Sequence, residues 1–163
     1  MEGVVMAMPG LQSAFWRGKR VLLTGHTGFK GSWLAICLER LGAVVTGAAL
    51  PPLSLPNLFT TAGVERRLTS RMVDVRDAAA LAAVVRETQP EIVLHLAAQA
   101  VVRAGYAAPL ETYAINVQGT ANVLDAVRYS DDRGVEHRRI HRRTGARACR
   151  RKVVRPRHAR QQP

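Results

Sequence analysis

Val21-Leu22-Leu23-Thr24-Gly25-His26-Thr27-Gly28-Phe29-Lys30-Gly31-Ser32-Trp33-Leu34 runs from an apolar strand through a T-G-x-x-G-x-x-G turn into a helix. Each glycine of the turn answers a separate steric demand: the turn must be tight, the backbone must approach a phosphate, and the helix start must lie close against the strand. The pattern therefore implies a site for a dinucleotide pyrophosphate, a negative group resting on the free N–H groups of the helix start.

Working outward, short apolar runs alternate with longer helical stretches from Lys19 to Tyr129, which is how a parallel sheet covered on both faces reads in sequence. Strand one is expected at Arg20 to Thr24. The first helix, about Ser32 to Leu41, puts Leu34, Leu38 and Leu41 on one face and stops at Gly42, a natural left-handed cap. Strand two follows at Val44 to Ala48. The run from Leu50 to Leu58 holds Pro51, Pro52 and Pro56 and reads as an ordered surface loop. Strand three is expected over Thr69 to Asp74. Asp77 can cap a helix running to about Glu87, with Leu81, Val84 and Val85 inward and Pro90 ending it. Strand four covers Ile92 to Leu96. From Pro109 to about Val127 one helix is expected, in which Ala114, Val117, Ala121, Leu124 and Val127 recur at helical spacing. The fold class is thus α/β: a Rossmann-like doubly wound parallel sheet, incomplete, followed by a basic irregular tail. The division is an N-terminal extension over 1–14, the partial nucleotide-binding domain over 15–129, and the arginine-rich segment over 130–163.

The 163 residues are 47% apolar, enough for one ordinary core. Their formal charge of +12 suggests nucleic acid until it is mapped. Residues 1–132 hold twelve basic and eleven acidic side chains, whereas 133–163 hold twelve basic side chains against Glu136 alone. The excess describes a tail rather than the surface of the domain. Cys37 and Cys149 suggest neither a disulfide framework nor a metal site, which fits a reduced cytoplasmic protein. No apolar run in the sequence is long enough to cross a bilayer, so neither a membrane nor a specific nucleic acid is an expected partner.

Asp74, at the end of strand three, reads either as an acceptor for the adenine amino group or as a turn and capping aspartate. Ala97 and Ala98 are small where a cofactor needs the backbone to come near, and tight packing would use them equally. His95 reads as a satisfied core histidine rather than a base. His26 reads as a polar contact or an exposed residue, and Lys30 as positive charge near the phosphates or a solvated side chain. Strand two ends Gly47-Ala48-Ala49-Leu50 without the carboxylate that usually holds the ribose hydroxyls, leaving the choice between NAD and NADP open.

Taken in order, Thr24 to Gly31, Asp74-Val75-Arg76-Asp77, His95-Leu96-Ala97-Ala98 and Asn116-Val117-Gln118-Gly119-Thr120 resemble the motifs of the extended short-chain dehydrogenase/reductase family. The longer strings Phe15 to Arg20, Gly25 to Leu34 and His95 to Gln99 are similar to the nucleotide-sugar 4,6-dehydratases within it. The resemblance covers about residues 15 to 129. It implies NAD as cofactor and a nucleotide sugar, CDP-glucose, as substrate, for polysaccharide or deoxysugar synthesis. In such enzymes NAD takes a hydride from sugar C4, the ketone acidifies the C5 proton, water leaves from C6, and the hydride returns there. Cofactor contacts implied are Thr24, Gly25, Thr27, Gly28, Phe29, Lys30 and Gly31 in the turn and Asp74 and Val75 after strand three. Leu96, Ala97 and Ala98 follow after strand four, and Asn116 lies near the nicotinamide. Gln99, Arg103 and Tyr106 fall in the segment that faces the sugar nucleotide. The family also admits a homo-oligomer.

The family's chemistry further needs a T-S/D-D-K-like strand end and a Y-x-x-x-K pair, in which lysine and cofactor lower the tyrosine pKa so that it serves as base. Neither string occurs in the sequence, so the expectation is no catalytic residue and no dehydratase turnover by this chain alone. After Tyr129 come eleven arginines with hardly any spaced apolar positions, read as a disordered or out-of-frame end of a truncated relative. Alternative readings are a non-catalytic dinucleotide-binding module, or nonspecific nucleic-acid adhesion through that tail.

Overall fold

The computed structural model describes residues 13–131. The expected basic tail over 130–163 and the extension over 1–14 lie almost wholly outside them. The elements are α1 (Ser13–Trp16), β1 (Arg20–Thr24), α2 (Phe29–Arg40), β2 (Val44–Ala49), α3 (Leu58–Thr61), β3 (Thr69–Met72), α4 (Ala78–Thr88), β4 (Ile92–His95), α5 (Val102–Ala107), α6 (Pro109–Tyr113) and α7 (Gly119–Asp131). A short 3-10 turn covers Val64–Arg66, and a π turn, Ala114–Gln118, joins α6 to α7.

The described strands form one sheet in the order β3-β2-β1-β4, with every pairing parallel. β1 is central, and all of Val21 to Thr24 is buried, which explains its unbroken apolar run. Because side chains alternate across a strand, Val21 and Leu23 enter one core with Ala35, Ile36, Leu38, Val45, Phe59 and Val64. Leu22 enters the other, with Ala48, Leu81, Val84, Val85, Val123 and Ala126. The sheet is thus covered by α2 and α3 on one face and by α4 and α7 on the other.

Strand one, the inward set Leu81, Val84 and Val85, and the Asp77 cap stand as the sequence reads: Asp77 accepts the Ala80 N–H at 2.9 Å. Helix α2 begins three residues earlier than expected, directly at Phe29 after the extended Gly28. It ends with Gly42 N–H donated to Glu39 and Ala43 N–H to Leu38, a closure that places Gly42 at φ +85°. β3 stops at Met72 because it is an outer strand whose last residues turn toward α4, although Val73 N–H still reaches Ala49 O at 3.0 Å. β4 likewise ends at His95. Helix α4 closes on Gln89 at φ +44°, one residue before Pro90.

The single helix expected from Pro109 to Val127 is three segments, and its apolar series does not line the core. Val117, Ala121 and Leu124 are exposed, and Ala114 and Val127 only half-buried. The face against α4 and the Val75-Arg76 link that precedes it is Gly119, Asn122, Val123 and Ala126. A π turn admits an extra residue, and each residue is about 100° of helix azimuth, so the downstream face rotates away from the one upstream spacing suggests. Gly119 is required there because a Cβ would come within 2.6 Å of Val75 Cγ2. Asn122 fixes the rest of the docking by donating to Val75 O at 2.9 Å and to Arg76 O at 3.1 Å.

Candidate functional site

In an open α/β sheet, connections diverge where strand order reverses, and a crevice opens at the carboxyl ends of the strands there. In this chain that point lies between β1 and β4. Thr24 and Gly25 leave β1 beside His95, Leu96 and Ala97 leaving β4. Gly25 takes φ +73°, and a Cβ on it would stand 2.6 Å from Ala97 N and 2.8 Å from Leu96 O. A Cβ on Gly31 would overlap the Gly25 carbonyl oxygen. Only glycine lets the helix start close onto the turn at these two positions.

Gly28 precedes α2 and brings no side-chain cap, so the first-turn N–H groups of Phe29, Lys30 and Gly31 have no intrahelical acceptor. The dipole of the twelve-residue α2 adds positive character at that end. Phe29 and Lys30 are exposed beside it. The turn is held from beneath. Thr27 Oγ1 donates to Leu50 O at 2.8 Å, clasping the end of β2, and Ser32 Oγ donates to His26 O at 2.9 Å.

His26 is fully buried, which overturns the option of an exposed residue. Its Nε2 meets Ser70 Oγ at 2.7 Å, and its ring packs edge-on to Phe59 with centroids 5.4 Å apart. Burial pushes its pKa down to about 4, against a smaller opposing effect of the Ala48 backbone, so the ring is neutral at physiological pH. Gly47 makes the room, since a Cβ there would overlap the imidazole. The sequence signal for this contact is the glycine in the middle of β2, which is unusual in a strand interior.

Asp74 is bound by its neighbour Arg76. Its Oδ1 accepts Arg76 N–H at 2.8 Å, and its Oδ2 accepts Nη2 at 2.6 Å, while Arg76 Nη1 also pairs with Glu111 at 3.4 Å. The Arg76 guanidinium holds the Asp74 carboxyl below the usual carboxylate range. Val75 is buried beneath it against Gly119. Asp74 therefore has a structural partner, with both carboxylate oxygens engaged by Arg76.

Between the ends of β1 and β4, Thr24 Oγ1 accepts the N–H groups of Leu96 and Ala97, both at 3.1 Å, and lies 2.6 Å from His95 Nδ1. His95 Nε2 lies 3.1 Å from Thr120 Oγ1, which donates to Asn116 O at 2.6 Å. His95 is a satisfied half-buried histidine, as the sequence suggests. Asn116 and Gln99 bind each other reciprocally: Asn116 Oδ1 accepts Gln99 N–H at 2.8 Å, and its Nδ2 donates to Gln99 O at 3.0 Å. The Gln99 side chain is engaged as well, accepting from Val101 N–H and donating to Thr112 Oγ1 at 3.1 Å. Ala98, Arg103 and Tyr106 are exposed on the outer part of this segment. The structure thus brings the turn against Leu96 and Ala97, and Gln99 against Asn116, at the carboxyl ends of β1 and β4, with Asp74 and Val75 following β3. Thr120, Asn122 and Ser70 are supporting residues that no sequence signal marks singly, although Thr120 belongs to the Asn116–Thr120 motif.

A β3-β2-β1-β4 parallel order, with a glycine turn at the reversal point, defines the Rossmann-like α/β class. Within that class the chain belongs to the GDP-mannose 4,6 dehydratase family, whose model matches residues 22–143. It is 47% identical over 114 residues to the CDP-glucose 4,6-dehydratase of Salmonella typhimurium, an alignment covering 70% of this chain and 32% of that one. It is 34% identical over 112 residues to a GDP-mannose 4,6-dehydratase of Sordaria araneosa, covering 69% and 20%. Among solved structures it is similar to the UDP-glucose 4-epimerase of Brucella ovis in complex with NAD, at 30% identity and a TM-score of 0.59, covering 69% of this chain and 33% of that one. The chain spans about a third or less of the length of the curated relatives it matches.

Proposed function

We propose that this chain is the NAD-binding portion of a nucleotide-sugar 4,6-dehydratase acting on CDP-glucose. The observation that carries the reading is the junction of β1 and β4, where the uncapped start of α2 opens beside Gly25 at the reversal of strand order. The amide groups of Phe29, Lys30 and Gly31 hold the diphosphate, and the Lys30 ammonium adds charge beside them. Gly28 lets the backbone approach, Thr24 and Thr27 hold the turn in shape, and Asp74 with the Val75 backbone forms the adenine end. Leu96, Ala97 and Ala98 form the floor, leading to Asn116 at the nicotinamide end. Gln99 braces the segment from which the exposed Arg103 and Tyr106 reach the sugar nucleotide. NAD, when bound, supplies a hydride acceptor that is regenerated within each turnover. The CDP-glucose assignment draws on the 47% identity to the Salmonella enzyme. The cytoplasm is the compartment this reading implies.

The sequence holds neither a T-S/D-D-K string nor a Y-x-x-x-K pair, so cofactor binding without turnover is the expected behaviour. Calorimetry of the full chain with NAD is expected to give saturable heat. Neither heat nor thermal stabilisation at millimolar NAD would reject the reading. Incubation with NAD and CDP-glucose is expected to yield no 4-keto sugar, and measured conversion would refute the inactive state.

A further inference from the structure

The hydrogens of the crevice wall can be assigned by counting. A threonine hydroxyl has one hydrogen and two lone pairs. The Thr24 hydroxyl accepts Ala97 N–H at 3.1 Å and shares Leu96 N–H with the Thr24 carbonyl, which that N–H reaches at 3.2 Å, leaving the hydroxyl hydrogen for His95 Nδ1 at 2.6 Å. Nδ1 must then be the bare nitrogen, and the proton of the neutral ring sits on Nε2, facing Thr120 Oγ1 at 3.1 Å. Thr120 accepts it and passes its own hydrogen to Asn116 O at 2.6 Å. Donation therefore runs one way, from β1 through His95 to the π turn, with no group left over. Burial lowers the His95 pKa, with no charged neighbour contributing, which keeps the ring neutral.

We propose that His95 is a positioning residue. Its single permitted tautomer, with the proton on Nε2, couples the end of β1 at Thr24 to the π turn at Asn116 and so sets the shape of the crevice floor over residues 96–99. The opposite tautomer, or a doubly protonated ring, would set two hydrogens against each other between Thr24 and His95 and break one of the Thr24 bonds to the floor. The effect on cofactor affinity rests on the NAD-site reading above, whereas the tautomer does not.

The experiment has two arms on the full chain. In the first, long-range proton–nitrogen correlation of the 15N-labelled protein near neutral pH reads the ring directly, with the His95 signals assigned by their loss in His95→Gln. A single form with a bare Nδ1 and a protonated Nε2 is expected, and an averaged ring or a proton on Nδ1 overturns the proposal. In the second arm, His95→Asn keeps an acceptor toward Thr24, His95→Gln keeps a donor toward Thr120, and His95→Leu keeps neither. NAD affinity is expected to fall about tenfold in His95→Leu and less in the two amide variants, with the amide resonances of Asn116 and Thr120 shifting in the same order. Should His95→Leu fail to fold, Thr120→Val, which removes the bonds to His95 Nε2 and Asn116 O and leaves those of Thr24, is expected to shift the Leu96 and Ala97 amides. Unchanged affinity and unchanged amides in the folded variants overturn the coupling. Wild-type chain that ignores NAD while showing the fixed tautomer and the graded amide shifts rejects the cofactor reading and leaves this one standing.

Discussion

At the scale of single residues, Gly31 and Gly47 are places where one methyl group decides the outcome. Gly31→Ala drives a carbon into the Gly25 carbonyl, and the helix start must move off the turn. The expected result is about 2 kcal/mol of lost stability, by the ordinary cost of overpacking, and at least tenfold weaker NAD binding by calorimetry. His26 carries a pH dependence of definite sign. Unfolded, a histidine titrates near 6.5, whereas in the fold its pKa is pushed down to about 4. Between those values the unfolded chain binds the extra proton, so stability falls as pH drops from about 6.5 to about 4 and levels off below. The loss is on the order of 3 kcal/mol. Urea midpoints measured across that window should slope less in His26→Gln than in the parent chain, and parallel slopes would show that His26 is not the titrating group. The turn residues were legible because the glycine motif is local. The hydrogen bonds around them were not, since Thr24 and His95 lie 71 positions apart and no spacing rule joins them.

Among elements, α7 shows why periodicity alone misassigns a face. The larger apolar side chains, Val117 and Leu124, mark one stripe, but the buried stripe is built from Gly119, Asn122, Val123 and Ala126. The deciding contacts are a close approach at Gly119 and two hydrogen bonds from a polar Asn122, neither of which reads as hydrophobic spacing. Asn122→Ala should cost about 2 kcal/mol in chemical denaturation, because the Val75 and Arg76 carbonyls lose their donor in a buried setting. Leu124→Ala, on the stripe that spacing alone would favour, should change stability by less than about 0.5 kcal/mol. The central strand β1 is readily legible, since a parallel strand covered on both faces must be an apolar run, whereas the outer β3, polar at Thr69 to Arg71, leaves the sheet at Met72, short of the expected Asp74.

For the whole molecule, the described residues leave two surfaces without cover. Leu110, Tyr113, Val117 and Leu124 are all exposed along the outer side of α6, the π turn and α7. β4 is paired only to β1, with Ile92 to His95 half-buried. An open strand edge and an exposed apolar stripe each invite association with another chain. The full chain is expected to self-associate at about micromolar concentration, read by light scattering. Val117→Lys combined with Leu124→Glu should lower the apparent mass without lowering the thermal midpoint, and a monodisperse monomeric parent would contradict this.

The reciprocal amide pair between Asn116 and Gln99 has a consequence for how the crevice meets its guest. Both backbone groups of Gln99 are anchored by Asn116, like a rung in a ladder. On the proposed reading, a nucleotide binding there would meet a segment its own protein partners already hold, so little contact energy would be lost to ordering.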